Sequence, residues 1–175
     1  MEKIVIISST NRENSNTLKV SKIYKQILED LGQATILLDL RDLPRDLAFS
    51  ESFGSRTAAY DEMLNQKVRP FQKFVMVVPE YNGSFPGLLK TFLDSLHPKD
   101  WTNKKVCLVG VADGRAGNLR GLEHLTGILQ YLKMHVYYNK LPISVVNKLL
   151  DAEFQFNSED QRKVCKAQME GFLQF

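Results

Sequence analysis

Apolar residues along this chain fall into short unbroken runs separated by longer amphipathic stretches. Four runs, at 3–9, 34–40, 74–79 and 105–111, are rich in Val and Ile and do not alternate strictly with polar residues. That pattern predicts strands buried on both faces, as in a parallel sheet covered by helices. A fifth run, 134–146, contains Pro142, which removes a ladder donor and marks an edge strand. Between the runs, Leu18, Ile23, Ile27, Leu28 and Leu31 recur at helical spacing, with Gly32 as the stop. Leu88, Leu89, Phe92, Leu93 and Leu96 repeat the pattern, and so do Leu119, Leu122, Leu125, Ile128, Leu129 and Leu132. Further helices are predicted near 55–66 and 158–173, the latter with Ser158 at its N-cap and Glu159 and Asp160 in its first turn.

Strict alternation of strand and helix implies right-handed crossovers and an α/β doubly wound parallel sheet. Five strands in the order 2-1-3-4-5, with helices on both faces, put the ligand crevice at the carboxyl edge between the first and third strands. At 175 residues and 43% hydrophobic content, the chain is expected to form one domain over 1–175.

The sheet predicts which loops carry chemistry. After strand one comes SSTNRENSNT, Ser8 to Thr17, with no apolar side chain, five hydroxyls, three amides and Arg12. At a helix N-terminus such a loop suits a phosphate monoester, through free backbone N–H groups, hydroxyls and a bidentate cation. It contains no glycine, so neither the dinucleotide fingerprint nor a Walker sequence is present. After strand three, PEYNGSFPG spends Pro79, Gly83, Pro86 and Gly87 on backbone shape and places Glu80, Tyr81, Asn82 and Ser84 among them. Tyr81 offers an aromatic wall beside hydrogen-bonding amides, which suits a flat heteroaromatic ring. After strand four comes VADGRAGNLRG, a third glycine-rich loop opening a helix. One edge thus offers a phosphate site at loop one and a ring site between loops two and three.

These residues resemble the NAD(P)H-dependent FMN reductases of the flavodoxin-like fold, which include azo-dye, quinone and chromate reductases. That family's first motif runs approximately G-S-x-R-x-x-S-x-N, and Ser9, Thr10, Arg12, Ser15 and Thr17 occupy the matching places, with Asn16 beside them. Ser9 replaces the usual Gly and Thr17 the frequent Asn. PEYNGSFPGLLKTFLD matches P-x-Y-N-x-S-x-P-G-x-L-K-x-x-x-D almost position for position, and the third loop is similar more loosely. The resemblance spans Lys3 to about Val136. It implies FMN held at its phosphate by loop one, along its ring by Pro79 and Glu80 to Ser84, and on the other side by Asp113, Gly114 and Arg115. It implies reduction by NADPH or NADH, a small-molecule acceptor such as a quinone, azo compound, free flavin or metal ion, ping-pong kinetics, and a homodimer or homotetramer. The protein would then need no catalytic acid or base for hydride transfer. A Cβ at Ser9 is expected to crowd the phosphate cradle. The alternative is a flavodoxin-like electron carrier or regulatory module, although a net charge of +3 is unlike the acidic docking surface of such carriers.

Composition removes other classes. A net charge of +3 with 25% charged residues gives no field for nucleic acid or an anionic membrane. No apolar run approaches the roughly 18 residues of a membrane helix, and MEKIVIISS lacks a cleavable-signal layout, so a cytoplasmic protein is expected. Cys107 and Cys165 form no CxxC pair, and His97, His124 and His135 have no partners at metal-ligand spacing. No G-x-S-x-G elbow supports a serine hydrolase. Trp101 reads as a rim residue, an oligomer contact or a core anchor. The stretch 41–56, which carries Phe49 and Phe53, reads as a surface connection, with a lid or subunit contact as alternatives.

Overall fold

The computed structural model describes residues 3–175. Parallel strands β1 (Ile4–Ser8), β2 (Thr35–Asp39), β3 (Lys73–Pro79) and β4 (Lys105–Val111) lie in the order 2-1-3-4. Their register sets Ser8 beside Val77 and Pro79 beside Val111, which brings the carboxyl ends of β1, β3 and β4 to one edge, β1 ending two residues before β3. The fifth strand completes the expected order in two pieces, β5 (His135–Val136) and β6 (Leu141–Ile143), both parallel to β4.

The break is a bulge. From Val106 to Val109 β4 advances three residues while the edge strand advances five, from Val136 to Leu141. Inside the bulge the Leu108 carbonyl accepts instead from the buried Gln168 side chain, at 3.2 Å. Gln168 also donates to Asn139 O at 2.8 Å and accepts from the Tyr24 hydroxyl at 2.7 Å. A side chain thus replaces the missing ladder bond, as a buried carbonyl requires. Pro142, lying on an edge, costs no central ladder bond.

Strand residues alternate between two cores. Val5, Ile7, Phe74, Met76 and Leu108 face α3 (Ala58–Lys67), α4 (Gly87–Asp94) and α5 (Leu119–Tyr131); Ile4, Ile6, Val75 and Cys107 face α1 (Asn16–Asp30) and α6 (Glu159–Gln174). Helices on both faces explain why the strands read as unbroken apolar runs. The helix α1 ends as its Gly32 predicts: Gly32 is left-handed at φ +76°, and Gln33 N–H donates to Leu28 O at 2.9 Å. Ser158 occupies the N-cap position of α6 but makes no side-chain cap bond. Trp101 is a core anchor, fully buried between Phe74 and Phe92 in edge-to-face contacts, with its indole N–H on Leu93 O at 3.2 Å. Within 41–56, the one-turn helix α2 (Leu47–Ser50) precedes the buried Glu51, whose carboxylate accepts from the Thr57 N–H at 2.8 Å.

Candidate functional site

Loop one ends where Ser15 caps α1, its hydroxyl accepting from Leu18 N–H at 3.2 Å. Ahead of that bond, the N–H groups of Glu13, Asn14, Ser15, Asn16 and Thr17 meet no acceptor among the described residues. Asn14 is left-handed at φ +51°, which curls this run into a concave row of donors at the positive end of the helix dipole. A cavity of about 410 Å³ opens over it, within the roughly 300–1,000 Å³ typical of small-molecule sites. Arg12, Ser15, Asn16 and Thr17 line it. Ser9 and Thr10 are buried behind it: Ser9 N–H is spent on Val77 O at 3.1 Å, and the Ser9 side chain, fully buried, does not line the cavity. The crowding expected of a Cβ at Ser9 therefore does not reach the cavity wall.

Thr10 is the brace between loops one and two. Its hydroxyl shares a 2.5 Å hydrogen bond with the Tyr81 phenol and accepts from Arg12 N–H at 3.2 Å. In loop two, Tyr81 and Ser84 exchange both backbone hydrogen bonds, 2.9 and 3.1 Å, around Asn82 at φ +50° and Gly83 at φ +78°. Two left-handed central residues define a type I′ turn, and Asn-Gly is its preferred sequence. Pro79, Glu80 and Tyr81 line the cavity. Asn82, Gly83 and Ser84 project beyond it, where Ser84 Oγ bonds His124 Nδ1 at 2.9 Å. Because the turn consumes the N–H groups of Tyr81 and Ser84 and Glu80 N–H is spent on Val111 O, only Asn82 and Gly83 keep free backbone donors in this segment.

In loop three, Asp113 lines the cavity, whereas Gly114 and Arg115 lie outside it, their carbonyls accepting from Val145 N–H at 3.2 Å and Ser144 Oγ at 2.7 Å. The loop is seated by close backbone contact. A Cβ on Gly110 would lie 2.0 Å from Gly117 O, and one on Gly117 would lie 2.6 Å from Pro142 Cβ. Asn118, buried and left-handed, donates from Nδ2 to Val78 O at 3.0 Å.

The sequence reading missed a fourth contributor. Val146 and Asn147, just after β6, line the same cavity, and Asn16 Nδ2 donates to Asn147 Oδ1 at 2.6 Å. The topological rule contained the signal, since the loop after a fifth parallel strand emerges on the same edge. SVVNK carries a single amide and no Gly or Pro, without the density that flagged the other loops. A larger groove of about 840 Å³ runs between α4 and α5. Its walls include Leu93, Ile128 and Leu132, and its cations are already committed, Arg56 to Ser95 O and Lys90 to Asp94. A continuous run of unpaired donors at the head of a long helix lies, of these two, at the polar cavity.

The chemistry of that cavity fits FMN: a row of free N–H groups for a phosphate, and a rigid turn with an aromatic wall for a ring. Among the described residues, no group of three or more His, Cys, Asp or Glu could hold a metal ion. Comparison with known proteins points the same way. The family model of the NADPH-dependent FMN reductases matches residues 2–147. A 2-hydroxy-1,4-benzoquinone reductase from Burkholderia sp. is 26% identical over 174 residues, covering 96% of this chain and 92% of that protein. An NADPH azoreductase from Bacillus sp. is 28% identical over 144 residues, covering 82% of this chain and 75% of its own length. In structure, a flavoenzyme NAD(P)H:(acceptor) oxidoreductase from Paracoccus denitrificans superposes with a TM-score of 0.77 at 18% identity, covering 99% of this chain and 96% of that one.

Proposed function

Since the chain belongs to the NADPH-dependent FMN reductase family, whose members use FMN and NAD(P)H, we propose that its polar cavity holds FMN and that small quinones or azo compounds are its acceptors. The observation that carries this reading is the row of uncommitted N–H groups from Glu13 to Thr17, opening into the same cavity as Tyr81. In the reading, Ser15, Asn16, Thr17 and Arg12 hold the phosphate, with Ser9 and Thr10 supporting them from behind. Pro79, Glu80 and Tyr81 would border the ring on one side and Asp113 on the other, with Gly114 and Arg115 seating that loop from outside the cavity.

Bound FMN supplies the hydride chemistry. The protein's part is to bind, orient and tune. The Thr10 hydroxyl fixes the Tyr81 phenol, and the Asn82 and Gly83 N–H groups are preorganised donors for negative charge at the ring edge. Asn82 through Ser84 thus act from the rim, with the type I′ turn holding their direction. Donor and acceptor would use one open face in turn, which gives ping-pong kinetics.

A second copy of the chain is part of the proposal. Phe53 and Tyr131, 90% and 84% exposed, flank the apolar groove between α4 and α5, and a homodimer or homotetramer would cover them. So are a single domain over 1–175 and a cytoplasmic location; no helix among the described residues is long and apolar enough to cross a membrane.

The test is steady-state NADPH oxidation by the FMN-loaded protein with a benzoquinone and an azo dye as acceptors. Parallel double-reciprocal lines at varied acceptor concentration are expected; FMN retention without acceptor-dependent turnover would refute the reductase assignment and favour an electron carrier.

A further inference from the structure

The segment after β6 is strained at one residue. Val145 sits at φ +51°, ψ +40°, a left-handed conformation that a β-branched side chain resists. Such strain persists only where neighbours over-determine it. Here Val145 N–H is held by Gly114 O at 3.2 Å, Val146 N–H by Ala112 O at 3.1 Å, and the Val146 side chain is buried in the core shared with α1. The reversal at Val145 sends Val146 inward and brings Asn147 to the cavity wall.

Two asparagines meet there from opposite ends of the chain. Asn16, the first residue of α1, donates to Asn147 Oδ1, so the orientation of the Asn147 carboxamide is set and its Nδ2 has no acceptor among the described residues. Asn147 is therefore a free amide donor, fixed beside the N–H row at the head of α1. A loop that served only to connect β6 to α6 would require neither a left-handed valine nor an amide pair between residues 131 positions apart at the cavity wall.

We propose that Asn147 is a phosphate-recognising residue, donating from Nδ2 to the phosphate of the bound cofactor, and that the strained Val145 is what aims it. The proposal rests on the flavin reading of the cavity and adds selectivity for the phosphorylated flavin over the unphosphorylated one. A hydrogen bond to a charged acceptor is among the stronger classes, and its loss translates to about a tenfold weaker Kd.

The experiment is fluorescence titration of apo protein with FMN and, separately, with riboflavin, for the wild type and Asn147→Ala. Asn147 is exposed, so unchanged thermal unfolding of the apo variant is expected and serves as the folding control. The predicted result is an FMN Kd raised about tenfold with riboflavin binding unmoved, and a larger rise in Asn147→Asp, which places an anion against the phosphate. An unchanged FMN Kd in Asn147→Ala overturns the proposal while leaving the flavin reading intact. Equal losses for both ligands overturn the phosphate assignment. If wild-type protein binds no FMN at saturating concentration, the flavin reading fails and the proposal with it.

Discussion

Replacing Gly110 by Ala puts the seating of loop three to a quantitative test. In β4, Gly110 pairs with Val78 on one side and Pro142 on the other, while Gly117 of loop three lies over it. The new Cβ would lie 2.0 Å from Gly117 O and 3.1 Å from Leu122 Cδ1, and real Cβ contacts do not fall below 3.0 Å. The loop must therefore rise by about 1 Å. A sideways shift has little room, because the Cβ position of Gly117 already lies within 3 Å of Pro142 and Ile143. Overpacking of this kind costs about 1–3 kcal/mol, and weakening the Asn118–Val78 hydrogen bond adds about 1 kcal/mol, for roughly 2–4 kcal/mol in all. In a domain of this size that lowers Tm by about 4–16 °C. FMN affinity should fall as well, since Asp113 moves with the loop. Gly114→Ala is the matched control: no atom lies within 4 Å of its Cβ position, so Tm should stay within about 1 °C. Differential scanning calorimetry of the two variants decides the matter. A Gly110→Ala protein as stable as the wild type, or an equal loss in Gly114→Ala, would refute the close-packing argument.

Tyr81→Phe deletes the 2.5 Å bond to Thr10 and should raise the FMN Kd several-fold while lowering Tm by about 1–6 °C, measured by titration and thermal melt. Lys104 is buried with its ammonium on the carbonyls of Val68, Arg69 and Phe71, so Lys104→Met should cost roughly 2–4 kcal/mol in urea unfolding. Burial holds the Lys104 pKa below its ordinary value, so the unfolded chain binds more protons between the two values. Wild-type stability should therefore rise with pH through that alkaline interval, by a slope that Lys104→Met loses. Burial also pushes the Cys107 and Cys165 thiols upward, so neither should react with an aromatic disulfide reagent in native protein near pH 8, and labelling should track unfolding.

The strands and long helices were legible because burial on both sheet faces leaves unbroken apolar runs, and one-sided helix burial leaves the 3.6-residue period. What the sequence hid is local geometry set by tertiary contacts. Pro142 announced an edge strand, but the split into β5 and β6 depends on Gln168, twenty-six residues further on, replacing a ladder bond. Loops one and two showed themselves through density of hydroxyls, amides, Pro and Gly. Nothing in SVVNK signals that Val145 turns left-handed or that Asn147 meets Asn16, because that pairing exists only once β6 is laid beside β4. The packing role of Trp101 was equally invisible to periodicity, since it lies in a short turn between α4 and β4.

The central claim, that the N–H row at the head of α1 receives the phosphate of FMN, is tested most directly by Asn16→Asp. An acidic residue at the first helical position favours the fold through the helix dipole and offsets the loss of the exposed Asn16–Asn147 hydrogen bond, so Tm should hold. The same carboxylate sets an anion against the phosphate, and a few kcal/mol of repulsion at short range should weaken FMN about a hundredfold while sparing riboflavin. Fluorescence titration of wild type and variant with both flavins reads this out. Selective loss of FMN binding is the predicted result; a variant that binds FMN as tightly as the wild type would contradict the account.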